Sequence, residues 1–265
     1  MTEQGARTAD GAGTETGRRP QINKLVRDDL VVCLLQGWHD FVAAPLYGLF
    51  FGGVYALGGI AVVALFFALH LPYVGYPVTM GFALIVPFVA MGTYEVSRRL
   101  ERGEPLSWEA VFGAVWGRSG KDLGWMALVT VFALIIWVDF AVFLFLMFFG
   151  LHLPTPQELI IEILSTSRGM TFAVVGNIVG AAVAMTVFSI TVVSFPILAD
   201  RDIDFVTAMI TSVRCVMTNP LQMIAWACVI GLLLLISMLV GFLGLFVALP
   251  VLGHASWALY RKLVA

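Results

Sequence analysis

From Leu46 to Leu69 the chain runs without one charged side chain, and after the short turn His70-Leu71-Pro72 the run from Tyr73 to Gly92 does so again. A hydrocarbon core about 30 Å thick is crossed by about 20 residues of helix rising ~1.5 Å each, and both runs reach that length. Lipid offers no hydrogen bonds to the backbone, so an apolar run of this length satisfies its N–H and C=O groups by folding as a helix. The composition agrees: 60% of the 265 residues are hydrophobic and 12% are charged, more apolar surface than a water-soluble fold could hide.

Further runs extend the pattern. Leu123 to Phe149 is interrupted only by Asp139, and a fourth run goes from about Gly169 to Leu198. Leu221 to Tyr260 is too long for one crossing and suits two, turning near Gly241 or Gly244. The expected spans are therefore about 46–69, 73–93, 123–149, 169–198, 221–240 and 242–260.

Three segments between the spans carry helical periodicity with a polar stripe, which predicts helices lying on the membrane surface. In the first, Asp28 to Ala44, Leu30, Leu34, Trp38 and Phe41 form the apolar face, and Asp29, Gln36 and Asp40 the opposite one. The second follows Ser107, a predicted cap, and bears Trp108, Val111, Phe112, Val115 and Trp116. The third, Asp204 to Met217, sets Phe205, Met209, Val213 and Val216 against Thr207, Thr211 and Arg214, and closes at Asn219-Pro220.

The spans also repeat. Pro87, Tyr94, Arg98 and Arg99 recur at the same spacing as Pro250, Trp257, Arg261 and Lys262, and the ending LFFALHLP of the first span returns as MFFGLHLP in the third. A proline, an interfacial aromatic one half-bilayer on and then a basic pair describe the kinked cytoplasmic end of a spanning helix. The predicted fold is thus all-α and integral to the membrane: six transmembrane helices with three interfacial amphipathic helices, in three surface-helix-plus-hairpin repeats.

Charge sets the orientation. With six spans and an internal N-terminus, fourteen of the 15 Lys and Arg residues fall inside and only Arg168 outside, which predicts an N-in, C-in topology by the positive-inside rule. Residues 1–22 are poor in bulky apolar side chains and read as a disordered cytoplasmic tail, ahead of a single membrane domain over 23–265.

Three stretches, GWHDFVAAP, TYEVSRRLERGEPLSW and LPVLGHASWALYRKL, resemble the bacterial integral membrane proteins catalogued as domain of unknown function 2189, in order and at both ends of the chain. The resemblance covers about residues 22–263 and implies a multi-pass protein of the bacterial cytoplasmic (inner) membrane. Some members of that family are labelled cytochrome c oxidase components, which implies a respiratory context. The family's pattern often places a second histidine after the last-helix tryptophan, where this chain has Ala258 or Leu259.

The candidate intramembrane polar residues are Asp139, Asn177 and His254, and the expected helix kinks are Pro87, Pro196 and Pro250. Asp139 points either to ion or proton handling or to a protonated or paired structural carboxyl. His254, one turn after Pro250, reads either as a haem ligand or as a histidine bonding the Phe246 carbonyl that the proline frees, and the second is preferred. His70 and His152 read either as sharing a metal at the outer face or, the preferred reading, as residues that simply precede Leu-Pro at a helix end. Gly48, Gly52 and Ala56, and likewise Gly176, Gly180 and Ala184, form small-residue stripes for close helix packing. No HExxH, GxSxG or CxxC is present, and Cys33, Cys215 and Cys228 suggest no disulfide or zinc framework.

No catalytic residue, cofactor or metal site is therefore expected, and no nucleic-acid partner. The functional expectation is a non-enzymatic membrane component, in contact with the lipid bilayer and with a membrane protein partner or its own copies. The alternative is a small-solute or ion transporter using Asp139, and a haem or quinone oxidoreductase subunit ranks last.

Overall fold

The computed structural model of the chain describes residues 20–69, 86–116, 120–151 and 156–265. These form eleven helices: α1 Arg27–Ala43, α2 Pro45–Leu69, α3 Val86–Arg102, α4 Trp108–Trp116, α5 Gly120–Phe149, α6 Pro156–Ser165, α7 Ser167–Thr191, α8 Ser194–Asp200, α9 Phe205–Thr218, α10 Pro220–Leu239 and α11 Leu245–Leu263. Among the described residues there is no strand, only a single antiparallel bridge between Ile22 and Val264.

Three helical stretches are long and apolar enough to cross a membrane: Gly120–Phe149, Ser167–Asp200 and Pro220–Ser237. A fourth is reached when α1 and the start of α2 are counted together, although they meet at 103°. That corner lies at Ala44, where Pro45 takes the first position of α2 and cannot donate a backbone hydrogen bond. Most of the expected second span, with His70, lies outside the described residues, as do His152 and most of the tail. Pro87 sits in the helical backbone of α3.

The other two prolines act differently. Ser167–Asp200 breaks into α7 and α8 around Val192–Val193, because Pro196 has no N–H for the carbonyl of Val192. The Val193 N–H is held instead by Ser212 Oγ at 3.1 Å. Pro250 stays inside α11 without ending it. The turn expected near Gly241 is present, with Gly241 at φ +67° and Phe242 at φ +66°.

Packing is uneven along the helices. The main core joins the first turns of α5 to the ends of α3 and α11 and to α8, α9 and α10, with Tyr94, Met126, Ile197, Cys215, Trp226 and Tyr260 among its buried members. Away from this end the spans are open: none of the most apolar stretch of α5 is buried, and 17% of those of Ser167–Asp200 and of Pro220–Ser237. One end of the bundle is a packed base and the spans rise from it.

Two faces of the surface helices differ from the periodicity. In α1 the buried residues are Cys33, Gly37, Asp40 and Phe41, whereas Trp38 is exposed. Asp40, expected on the polar face, is inside. Thr211 of α9, also expected outside, is buried beside Ser212. In α1 the partnered Asp40 is inside while Trp38 is out; in α9 Thr211, bonded to the Thr207 carbonyl of its own helix, is buried alongside Val216 of the expected apolar face. The Ser107 cap is as expected, its Oγ accepting the Ala110 N–H at 3.2 Å.

Candidate functional site: a buried polar cluster joining three motifs

The three motif stretches converge on one place. Helix α11 packs against α1, α2 and α3, and glycine permits each close approach. A Cβ on Gly37 would lie 2.5 Å from the Val251 carbonyl oxygen, and one on Gly253 would collide with the Thr93 side chain. On α2 the first small-residue stripe does the same work, since a Cβ on Gly52 would lie 2.7 Å from the Phe246 carbonyl oxygen. That carbonyl, which Pro250 leaves without its usual donor, abuts α2.

Where α1, α3 and α11 cross, Ser97 Oγ donates to Asp40 Oδ2 at 2.7 Å and stands 2.7 Å from His254 Nδ1. All three residues are buried. Asp40 also accepts from Gln36 Nε2 at 2.8 Å, so its two oxygens are both engaged. Ser97 has one hydroxyl proton and gives it to Asp40, so the proton between Ser97 and His254 comes from Nδ1. The network therefore assigns the Nδ1–H tautomer, and His254 Nε2 is left buried with no hydrogen-bond partner among the described residues. The imidazole does not bond the Phe246 carbonyl, as the sequence suggested; Ser97 and Asp40 take that part. Serine lies between the acid and the base here and, itself buried, bridges the helices that carry them.

A ring of charge closes the base. Glu95, almost wholly buried, holds Arg98 through two bonds of 2.7 Å and Arg99 through another of 2.7 Å. The Arg98 guanidinium is kept above its ordinary range chiefly by that hydrogen bond. Asp200 accepts from Tyr260 Oη at 2.7 Å and pairs with Arg102 and Arg261. Glu101 takes Trp257 Nε1 at 3.1 Å and Arg261 Nε at 3.0 Å. The aromatics at equivalent places in the two repeats, Tyr94 and Trp257, stack with centroids 6.5 Å apart. A polar cleft of about 260 Å³ lies between Glu95, Arg98 and Arg99 on α3 and Asp200 and Arg201 at the C-terminal end of α8.

The chain ends join this base. Asn23 N–H donates to the Leu263 carbonyl at 2.9 Å, and Leu25 N–H to Asn219 Oδ1 at 2.8 Å. Asp29 receives Lys262 Nζ at 2.6 Å while its other oxygen accepts the Val26 N–H at 2.8 Å. Asn219, expected as a cap, uses its side chain to fasten the N-terminal segment.

A profile of predicted integral membrane proteins, domain of unknown function 2189, matches residues 75–200. That segment, a little under half of the chain, is similar to this family. No curated protein and no solved structure matches it. The matched segment includes Ser97 and the Glu95–Arg98–Arg99 cluster, whereas Asp40 and His254 lie on either side of it.

The other candidate residues lie away from the cluster. Asn177 donates its amide to the Ala173 carbonyl at 2.7 Å and lines a groove of about 1000 Å³ between α5 and α7. Gly176 and Gly180 line it too; a Cβ on Gly176 would meet nothing within 4 Å, whereas one on Gly180 would lie 3.0 Å from the Trp137 ring, so the second small-residue stripe is close-packed only at Gly180. Asp139 is exposed on α5, outside that groove, and makes no hydrogen bond or ion pair among the described residues. Residue spacing alone missed Asp40 and Ser97. The available signal was that each stands inside one of the three motif stretches, with His254 in the third.

Proposed function

We propose that this is a non-enzymatic, six-span protein of the bacterial inner membrane that serves as a partner or assembly component of a larger membrane complex. The observation that carries this is the division of the molecule. The buried cluster of Asp40, Ser97 and His254 joins α1, α3 and α11 at the base, while the spans leave most of their apolar surface to lipid or to another protein. Surface of that kind suits binding within the bilayer better than turnover of a solute.

The base carries Arg98, Arg99, Arg102, Arg261 and Lys262, which supports placing it at the cytoplasmic face. The right-angled corner between α1 and α2 supports α1 as an interfacial helix leading into a span. Transport through Asp139 has less support, because the carboxyl does not line the one large groove described.

Isolation in a mild detergent, with stoichiometric analysis of what accompanies the tagged chain, tests the proposal. Defined complexes with another membrane polypeptide are expected. A chain that comes away without one, and that moves protons or a solute across liposomes, would overturn it in favour of transport.

A further inference from the structure

We infer that α5 is the contact face between two copies of this chain, paired about a two-fold axis along the membrane normal, with Asp139 meeting Asp139 of the second copy. This rests on α5 spanning the membrane, and not on the larger complex proposed above.

The starting point is the setting of Asp139. Beyond it, Phe140 to Phe149 are ten uncharged residues, about 15 Å of helix and half of a ~30 Å hydrocarbon core. Before it, Leu123 to Val138 are uncharged as well. The carboxyl is therefore well inside the membrane, where an ionisable side chain at mid-depth is costly to insert. Such residues face a bundle interior, a wet cavity or a partner. Among the described residues Asp139 faces none of these: it is exposed and lies outside the α5–α7 groove.

The face around it is suited to another helix. Leu128, Phe132, Ile135, Val142 and Leu146, each at least 42% exposed, fall with Asp139 at alternating steps of four and three along α5. That spacing is the seam of a left-handed helix pair, and one polar residue within such a seam fixes register and the number of strands.

The second copy is the occupant that the carboxyl selects. A two-fold axis along the normal keeps both chains in the same orientation and sets each residue on the axis against itself at equal depth. No basic side chain lies between Leu123 and Phe149 to pair with Asp139 across that contact. Two carboxyl groups a few ångströms apart share a proton, so each supplies the hydrogen-bond partner the other lacks. A dimer thus satisfies both carboxyls without a further component.

The test uses the full chain in lipid nanodiscs, with the exposed Cys228 replaced by alanine. Single substitutions Ile135→Cys and Val142→Cys are expected to form oxidative cross-links between copies, and Ala133→Cys, on the groove side, is not. Asp139→Leu should lower the dimer association constant about tenfold, the scale of an interhelical hydrogen bond in lipid, whereas Asp139→Asn should retain most of it. Cross-linking at Ala133 but at neither seam position, or an Asp139→Leu chain that dimerises as tightly as its parent, overturns the inference. So does a nanodisc that holds one copy. These outcomes are separate from whether another polypeptide accompanies the chain, so the two proposals stand or fall independently.

Discussion

Ser97 Oγ stands 2.7 Å from His254 Nδ1, on helices that begin far apart in the chain and meet only because α11 crosses α3 and α1. Through the same oxygen Ser97 reaches Asp40, so one hydroxyl links three helices. The serine is also the cheapest place to cut the network. Ser97→Ala removes a donor and an acceptor and leaves Asp40 Oδ2 and His254 Nδ1 buried without partners, at a cost of about 2–4 kcal/mol. Thermal unfolding in detergent should show the loss, and the double variant Asp40→Asn with His254→Gln should be less destabilised than the two single losses added together. Strict additivity would mean that Ser97 does not couple them.

The crossing of α1 and α11 gives a second prediction. A Cβ at Gly37 would sit 2.5 Å from the Val251 carbonyl oxygen and 2.7 Å from Ala255, both parts of a fixed helix and not flexible side-chain ends. Gly37→Ala should therefore destabilise by ~1–3 kcal/mol, as overpacking does elsewhere. Gly231→Ala is the control, since nothing lies within 4 Å of a Cβ there, and it should be neutral or stabilising by up to about 1 kcal/mol. Equal effects at the two sites would show that helix propensity, and not the crossing, accounts for Gly37.

Much of this architecture was legible from one-dimensional signals. Apolar length marked α5, α7 and α10, prolines marked the corner at Pro45 and the break before Pro196, and Gly241 marked the hairpin turn. The equivalence of Pro87–Arg99 and Pro250–Lys262 surfaced as a physical contact, the stacked pair Tyr94 and Trp257. Which way the surface helices face was not legible. An amphipathic pattern assigns Asp40 outward because an unpaired carboxylate belongs in water, and the rule reverses only when partners are known. Here Ser97 lies 57 positions from Asp40 and His254 a further 157 positions beyond Ser97, outside any local window.

The tie between the two chain ends should show in pH dependence. The Asp29 carboxyl is held below its ordinary range by the hydrogen bond from Lys262 and then by the Val26 N–H, and Lys262 is raised, first by that same bond. A depressed carboxyl contributes stability above its unfolded value near 3.9, and loses it as pH falls through the folded value. A raised ammonium contributes below its unfolded value near 10.4, and loses it as pH rises through the folded value. The tie should thus be intact from about pH 4 to 10 and fail on both sides. Amide exchange of residues 23–26 against pH should trace that plateau, and Asp29→Asn should flatten its acid limb. An unchanged acid limb would remove the ion pair from the account.

Orientation can be read with thiols, because the native cysteines are nearly silent. Burial pushes the Cys33 thiol up to about 11 and that of Cys215 to about 12, so at pH 8 each is overwhelmingly protonated and shielded from alkylation. Cys228 is exposed on α10 and is replaced by alanine. Two reporter sites then lie on loops that the six-span topology puts on opposite sides: Gln157 in α6 and Glu109 in α4, both exposed. Gly103 is a poorer reporter than Glu109, since its φ of +64° resists any side chain. An impermeant maleimide should label Gln157→Cys in intact cells, and Glu109→Cys only after the membrane is opened. Charge sets these sides: Glu109 follows a segment carrying Arg98, Arg99 and Arg102, which stays inside, whereas the Gln157 loop has one basic residue, Arg168, engaged by Glu162. Labelling of Glu109→Cys in intact cells while Gln157→Cys stays silent would invert the protein, and labelling of both sites from one side would require an odd number of crossings to be lost or gained between α4 and α6.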